Sequence, residues 1–244
     1  MLINSHLTGF NIIPSTLGPA IKAKLTAHWR MEETGTTAAR VDAHTNGLNL
    51  TANSSPSYGS GKIGTNAVEF DNSVRSDFLS RADETLLRTG DIDYTLCCWM
   101  YLNTLPSSAG QNYHPLAKWQ GSTNEWNMAI LSSGNTIKLD YGSGSVSASN
   151  FGAWTTGTWN FVVWWHDSVN NQLGIQINNG TANTSSHSTG NTAGTSAFYV
   201  GALHSGVPRM RGRVDSLSIF KGSVLSAAER TYLYNSGNGR DYPF

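Results

Sequence analysis

The sequence predicts an all-β protein built as an antiparallel β-sandwich. Short segments of alternating apolar and polar residues recur with turn residues between them, which is typical of sandwiches and barrels. Residues 159–180 show this best, because Phe161, Val163 and Trp165 fall on one face of an extended chain. A polar turn and a second alternating segment follow, so we predict a hairpin whose apolar face another sheet covers.

Further strands are indicated along the whole chain. They are expected at residues 27–31, 48–50, 67–71, 78–79, 94–101, 115–118, 126–130, 137–139, 198–201 and 212–220. Both faces of residues 94–101 are apolar, as in a strand that lies between two packed layers. One short C-terminal helix is predicted, because Ser226 and Glu229 fit a capping box and Gly237 provides an end.

The composition indicates a folded chain with a polar but weakly charged surface. Of the 244 residues 13% are charged, and the formal net charge is +0. There is thus no electrostatic reason to expect nucleic acid or an anionic membrane as a partner. The 8 Trp and an aromatic content of 10% argue against disorder. Cys97 and Cys98 are adjacent and point to opposite faces of a strand, so no disulfide is expected.

The N-terminal segment, residues 1–24, differs from the rest. Pro14, Gly18 and Pro19 interrupt any regular pattern. The segment fits an arm that anchors on a neighbouring polypeptide, and it equally fits a strand and loop that cap the chain's own domain, residues 25–244. It lacks a signal-peptide pattern, and no apolar run approaches the roughly 18 residues of a membrane helix. We therefore expect synthesis in the cytoplasm without a signal peptide, and no membrane insertion.

Five motifs stand in a fixed order along the chain. They are Trp29-x-x-Glu32-Glu33, then Gly61-x-x-Gly64-x-x-Ala67-Val68-x-Phe70-Asp71, residues 94–100, the 159–180 hairpin, and residues 212–220 followed by Leu225-Ser226-x-x-Glu229. Together they resemble the laminin G-like/pentraxin-like jelly roll of the concanavalin A-like lectin/glucanase superfamily, over about residues 27–237. The tail from Leu233 to Pro243 is similar to the endings of such domains in tailed-phage structural proteins.

The resemblance implies a structural calcium ion between the first loop and the last strand. Glu33, Asp42 and Asp215 are the matching acidic positions, and calcium prefers clustered oxygen ligands. The other interpretation is that Asp215 only accepts hydrogen bonds from the backbone and that Glu33 is solvated. Both interpretations stay open at this point.

A carbohydrate platform is a second candidate site. Tyr113, His114, Trp119 and Trp154 lie in or beside predicted loops, where aromatic faces flanked by amide groups could hold a sugar. Alternatively these side chains plug the ends of the sandwich, because Trp is highly buried on average.

Catalysis is not expected. Retaining glycosidases need two carboxyls about 5 Å apart, and the glutamates do not form the Glu-x-Asp-x-x-Glu pattern of glucanases with this fold. Asp91 and Asp93 share one side of the chain, but they stand just before Tyr94, where a solvated loop is expected.

The leading hypothesis is a non-enzymatic phage virion structural protein, a capsid decoration or fibre/tail module. It would be located in the virion and contact other virion proteins and copies of itself as a homo-oligomer. The alternative is a carbohydrate-binding adhesin module that recognises cell-surface or environmental glycans.

Overall fold

Two antiparallel β-sheets stack face to face in the computed structural model. The structure describes residues 16–70, 77–120, 123–191, 193–205 and 210–244, without the side chains of Gln120, Thr123 and Asn124. All strand pairs between named strands in this part of the chain are antiparallel. The predicted antiparallel β-sandwich is therefore confirmed.

The first sheet has eight strands within the described residues. Seven follow one another in the order β13 (Asn183–Ser186), β12 (Gln172–Ile177), β11 (Trp159–Asp167), β6 (Tyr94–Leu102), β15 (Gly212–Lys221), β4 (Asn66–Phe70) and β3 (Ser57–Ser60). The eighth, β1 (Ala27–Trp29), pairs with the second half of β15, beyond the part of β15 that pairs with β4.

The second sheet has seven strands within the described ranges. Their order is β10 (Gly144–Ser147), β9 (Ile137–Tyr141), β8 (Thr123–Ile130), β7 (Tyr113–Gln120), β14 (Phe198–Val200), β5 (Phe78–Arg81) and β2 (Thr51–Asn53). Strands β7 to β10 form a meander, so consecutive segments of the sequence lie side by side in this half of the sheet.

The main core lies between the two sheets. Val162 and Trp164 of β11 face inward, and Trp126 and Met128 of β8 meet them from the second sheet. The ring centroids of Trp126 and Trp164 are 4.9 Å apart. Burial of one large apolar side chain stabilises a fold by roughly 1.5–3 kcal/mol, so this inner layer dominates the stability.

A second apolar cluster covers the opposite face of β6 and β11. There Phe161, Val163 and Trp165 pack with Ile21 of helix α1 (Leu17–Lys24) and Leu233 of helix α3 (Ala227–Tyr234). The prediction that another sheet covers this face of the hairpin is wrong. Because β11 lies near the centre of its sheet, both its faces are buried, one against a sheet and the other against helices.

The two cysteines divide between these clusters, as predicted. Cys98 belongs to the core between the sheets and Cys97 to the cluster under the helices, and both are free thiols. Burial raises the pKa of the Cys97 thiol to about 12. Cys97 is therefore a protonated, unreactive packing residue at neutral pH.

The C-terminal helix α3 forms with the predicted capping box. The Glu229 N–H donates to Ser226 Oγ at 3.3 Å, and the Ser226 N–H donates to Glu229 Oε2 at 2.8 Å. The helix ends at Asn235, which adopts a positive φ of 50°, before Gly237 is reached. Two helices are also present that the sequence did not predict, α1 and the short α2 (Pro106–Ala109).

Helix α1 forms because Pro19 stands in its first turn, where a backbone N–H has no partner within the helix. Residues 1–15 lie outside the described residues, so the predicted anchoring role of residues 1–24 stays a prediction. Among the helices of the described ranges, none has the length and hydropathy that a membrane span requires.

Candidate functional site

A groove of about 230 Å³ opens between the loop after β10 and the turn after β12. Its floor is apolar, with Ala148, Ile175 and Ile177 buried. Its walls and rim are formed by Asn150, Phe151, Asn178, Gly180, Thr181 and Asn183. No charged side chain is among these lining residues. The groove thus combines an apolar floor with an amide and hydroxyl rim.

The turn on one side of the groove is a tight hairpin connection. Asn178 and Asn179 have φ values of 51° and 57°, and the Gly180 N–H donates to the Ile177 carbonyl at 2.9 Å. Two successive positive φ values define a type I′ turn, a conformation that Asn tolerates better than most residues. Gln176 Nε2 also donates to the Gly180 carbonyl at 2.7 Å, which fixes the exit of the turn.

Side-chain hydrogen bonds hold this turn against the rest of the domain. The Phe161 N–H donates to Asn178 Oδ1 at 2.8 Å, and Asn178 Nδ2 donates to Asn160 Oδ1 at 2.6 Å. Thr231 Oγ1 of α3 lies 2.9 Å from Asn179 Oδ1 and donates to it. The turn is therefore pre-formed, so ordering it on ligand binding would cost little entropy.

Three hydrogen bonds join the two walls at one side of the groove. The Asn150 N–H donates to Asn183 Oδ1 at 3.0 Å, and Asn183 Nδ2 donates to Ser149 Oγ at 2.8 Å. Asn150 Nδ2 donates to the Ala182 carbonyl at 3.4 Å. These bonds close the groove on that side and keep its walls at a fixed separation.

Phe151 supplies the aromatic surface of the groove. Its ring is partly exposed and packs edge-on against Trp154, with 5.6 Å between the ring centroids. Trp154 is buried in the core, and its backbone N–H donates to the Asn135 carbonyl at 2.8 Å. The core therefore fixes the orientation of Phe151 through Trp154.

The four side chains of the predicted carbohydrate platform are not brought onto one surface. Tyr113 and Trp154 are buried in the core, and His114 is buried with Nδ1 2.9 Å from Asn127 Oδ1. Trp119 is partly exposed, at the opposite end of β7 from Tyr113, about 20 Å away along the strand. Burial of Tyr113 and Trp154 fits the alternative, that they plug the sandwich. A sugar-binding role for His114 or Trp119 stays a prediction.

The predicted calcium ligands Glu33 and Asp42 accept backbone hydrogen bonds. Asp42 Oδ1 accepts from the His28 N–H and Asp42 Oδ2 from the Leu48 N–H, both at 3.0 Å. Glu33 Oε1 accepts from the Val41 N–H at 2.8 Å. These carboxylates therefore brace the first loop of the domain.

Asp215, the third predicted ligand, is fully buried in β15. Its Oδ2 accepts from the N–H groups of Lys62 and Ile63 at 2.6 and 2.9 Å. Burial raises the pKa of this carboxyl to about 7, against the effect of the two backbone donors. Across the part of the chain that the structure describes, no three His, Cys, Asp or Glu residues are grouped to hold a metal ion. A structural calcium ion therefore stays a prediction.

A buried ionic cluster lies at the other end of the sandwich. Lys118 Nζ is 3.2 Å from Glu125 Oε1 and donates to the Ser196 carbonyl at 2.5 Å. Glu125 Oε2 accepts from the Thr89 N–H at 3.1 Å and from Thr89 Oγ1 at 2.9 Å. Burial raises the pKa of Glu125, although Lys118 and Thr89 favour its ionised form. This cluster is closed to solvent and its groups bond each other.

Sequence reasoning did not single out the groove residues Asn150, Phe151, Asn178 and Asn183. Part of the pattern that indicates a sugar site is present in the sequence, because an amide residue precedes an aromatic one in Asn150-Phe151. It is also present in the amide-rich end of the predicted 159–180 hairpin. What the sequence does not show is that these two distant segments meet.

Comparisons with known proteins place the chain in a family. A model of the laminin G type, described as Concanavalin A-like lectin/glucanases superfamily, matches residues 75–229, more than half of the 244 residues. No curated protein matches the sequence. Among solved structures, Domain 4 of AbnA, a GH43 extracellular arabinanase from Geobacillus stearothermophilus, in complex with arabinotriose, has a TM-score of 0.61 at 17% identity. That match covers 88% of this chain and 98% of the other.

Two toxin binding domains are also similar. The binding domain of Paraclostridial Mosquitocidal Protein 1 gives a TM-score of 0.70 at 14% identity, over 89% of this chain and 53% of that one. The binding domain of botulinum neurotoxin serotype D gives a TM-score of 0.67 at 14% identity, and the match covers 91% of this chain and 53% of that one. The chain thus spans about half the length of these two structures, and at such identities the likeness shows the fold alone. With the family model matched over residues 75–229 on a two-sheet sandwich, the chain belongs to the concanavalin A-like lectin/glucanase superfamily.

Proposed function

We propose that the chain is a non-catalytic carbohydrate-binding module and that the groove beside Phe151 holds the sugar. The observation that carries this proposal is the make-up of the groove: an apolar floor, one aromatic wall and an uncharged rim of amides and a hydroxyl. A sugar ring presents C–H groups on its faces and hydroxyls around its edge. The faces suit the ring of Phe151, and the hydroxyls suit the amide rim.

The structural neighbours support this proposal. One of them is a solved complex of an arabinanase domain with arabinotriose, and this chain matches that domain over 98% of its length. Two others are named as binding domains of toxins. A recognition role on this fold agrees with all three.

A catalytic role is disfavoured by the chemistry of the groove. Glycoside hydrolysis commonly uses two carboxyl groups on either side of the scissile bond. The lining residues of the groove, all within the described ranges, include neither Asp nor Glu. Asp93, noted in the sequence, accepts hydrogen bonds from the Ser168 N–H and Oγ at 3.0 and 2.8 Å, and so braces a turn.

The test is calorimetric titration of the protein with oligosaccharides selected on a glycan array. Substitution Phe151→Ala removes the aromatic wall, and we expect binding at least tenfold weaker, about 1.4 kcal/mol. Trp119→Ala is the matched control, since Trp119 is also a partly exposed aromatic but lies at the other end of the sandwich. A blank array, or equal losses in both variants, would contradict the proposal.

The virion role predicted from the sequence is a second candidate. It is favoured by the similarity of the tail between Leu233 and Pro243 to the endings of such domains in tailed-phage structural proteins. A glycan-binding module displayed on a particle as a homo-oligomer would combine both roles. Mass spectrometry of purified particles tests this candidate, and absence of the protein from them would exclude it.

A further inference from the structure

We infer that the groove recognises an uncharged sugar at the end of a glycan chain, rather than an acidic sugar or an internal residue. This inference rests on the proposed function and narrows its ligand class. It is drawn from three features of the groove: its remaining hydrogen-bonding capacity, its closure on one side and its volume.

The rim offers donors and acceptors in a matched mixture. Asn178 Oδ1 and Asn183 Oδ1 each accept one protein hydrogen bond and keep a second lone pair. The Nδ2 groups of Asn150, Asn178 and Asn183 each donate one hydrogen bond to the protein and keep a second N–H. A hydroxyl both donates and accepts, so it satisfies such a rim. A carboxylate only accepts, so it leaves the rim oxygens without a donor.

Among the lining residues, all of which the structure describes, there is no cation to pair with an acidic ligand. Arg230, on the neighbouring helix α3, is engaged elsewhere. It donates to Gln176 Oε1 at 2.7 Å and to the Leu225 carbonyl at 2.6 Å, and its guanidinium lies 4.4 Å from the centre of the Trp165 ring. Transfer of a carboxylate from water into this groove would thus lose hydration without gaining an ion pair.

Closure and volume limit the ligand to one residue. The hydrogen bonds between Asn150, Asn183, Ser149 and Ala182 join the walls, so a polysaccharide cannot pass along the groove on that side. The volume of about 230 Å³ is below the roughly 300–1,000 Å³ of sites for drug-sized ligands. It corresponds to about eight waters at liquid density, which is on the scale of a single sugar ring.

The test uses matched oligosaccharide pairs that share a core and differ at the non-reducing end. One member ends in a neutral hexose or pentose, and the other carries a terminal sialic or uronic acid. We expect binding of the neutral member and at least tenfold weaker binding of the acidic one. Lengthening the chain beyond its terminal residue should change the affinity less than threefold.

A variant that should gain affinity for the acidic oligosaccharide complements this comparison. Thr181 is exposed on the rim, so Thr181→Lys adds a cation there and should strengthen binding of the acidic member several-fold. Equal binding of both members by the unchanged protein would overturn the charge inference but leave the proposed function intact. Affinity that grows with each added internal residue would overturn the end-recognition inference alone. Absence of binding to every oligosaccharide would refute the proposed function itself.

Discussion

The two ends of the sandwich handle their polar groups in opposite ways. At the end of β11 marked by Phe161, amide side chains rim an open groove that contains no charge. At the end marked by His166, Lys118 and Glu125 form an ion pair that is fully buried. At this second end Tyr141 contacts both sheets and a loop: its ring stacks on His166 of β11, and its hydroxyl donates to the Gly90 carbonyl at 2.9 Å.

The difference shows which end seals the domain and which end is available to a ligand. A buried charge is tolerated only when it is paired and hydrogen-bonded, so the closed end depends on the mutual satisfaction of its groups. Amides at the open end keep hydrogen-bonding capacity that water or a sugar can use. Substitutions at the closed end should therefore cost more stability than those at the open end, which should mainly change recognition.

The largest effect is expected at the closed end. Substitution Glu125→Leu removes the nearest carboxylate from the buried Lys118 ammonium and leaves it only the Asp83 carboxylate, 3.8 Å away, which should lower the free energy of unfolding by about 3–5 kcal/mol. Urea denaturation measures the loss. The double variant Lys118→Met/Glu125→Leu removes both charges and should recover most of the stability, because replacing a buried pair by apolar residues is often neutral. A double variant as unstable as the single one would show that the pair does not act as a unit.

The next effect concerns Asp215, a buried carboxyl that forms no ion pair with any residue the structure describes. Its pKa is about 7 in the folded chain, against 3.8 when unperturbed, so between about pH 4 and 7 the folded state holds a proton that the unfolded state has lost. Stability from this group is therefore present at low pH and is lost as the pH rises through about 7. The free energy of unfolding that this carboxyl contributes changes by at most about 4 kcal/mol over this pH range.

Comparison with Asp215→Asn isolates this contribution. The amide oxygen can still accept from Lys62 and Ile63, but the side chain no longer titrates. The difference in unfolding free energy between the two proteins should change steadily from pH 4 to 7. A difference that is independent of pH would contradict a raised pKa for Asp215.

The smallest effect is expected in the turn that borders the groove. Asn178→Ala places a residue with a Cβ at a φ of 51° and removes the amide, which should cost about 1–2 kcal/mol. Asn178→Gly removes the same amide without backbone strain and should cost less. Thermal unfolding of the two variants separates strain from hydrogen bonding. Equal losses of stability in the two variants would mean that the missing amide, and not backbone strain, causes the whole destabilisation.

Local signals in the sequence were sufficient for much of the fold. Alternation located strands such as β6 and β11, and Ser226 with Glu229 located the start of α3, because each pattern depends on neighbours within a few residues. The covering of the outer face of β11 could not be predicted. Alternation shows that a face is apolar but not whether a sheet or a helix packs on it.

The groove was not predictable for a related reason. Phe151 and Asn178 belong to segments that meet only after the sandwich has brought β10 beside β12 and β13. Asp215 likewise accepts from Lys62, which is 153 residues away in the sequence. The resemblance to the family made Asp215 a calcium candidate, and residue type made Trp154 a platform candidate. Their burial, which decides what they contact, is a property of the folded chain.

The most direct test of the account is a backbone amide NMR titration of the labelled protein with the neutral-ended oligosaccharide that binds best. We expect chemical-shift changes to concentrate at the groove, in residues 148–151 and 178–183, while the closed end around Lys118 and Glu125 stays unchanged. Changes centred on Trp119, or on the His114 and Asn127 face of the second sheet, would contradict it.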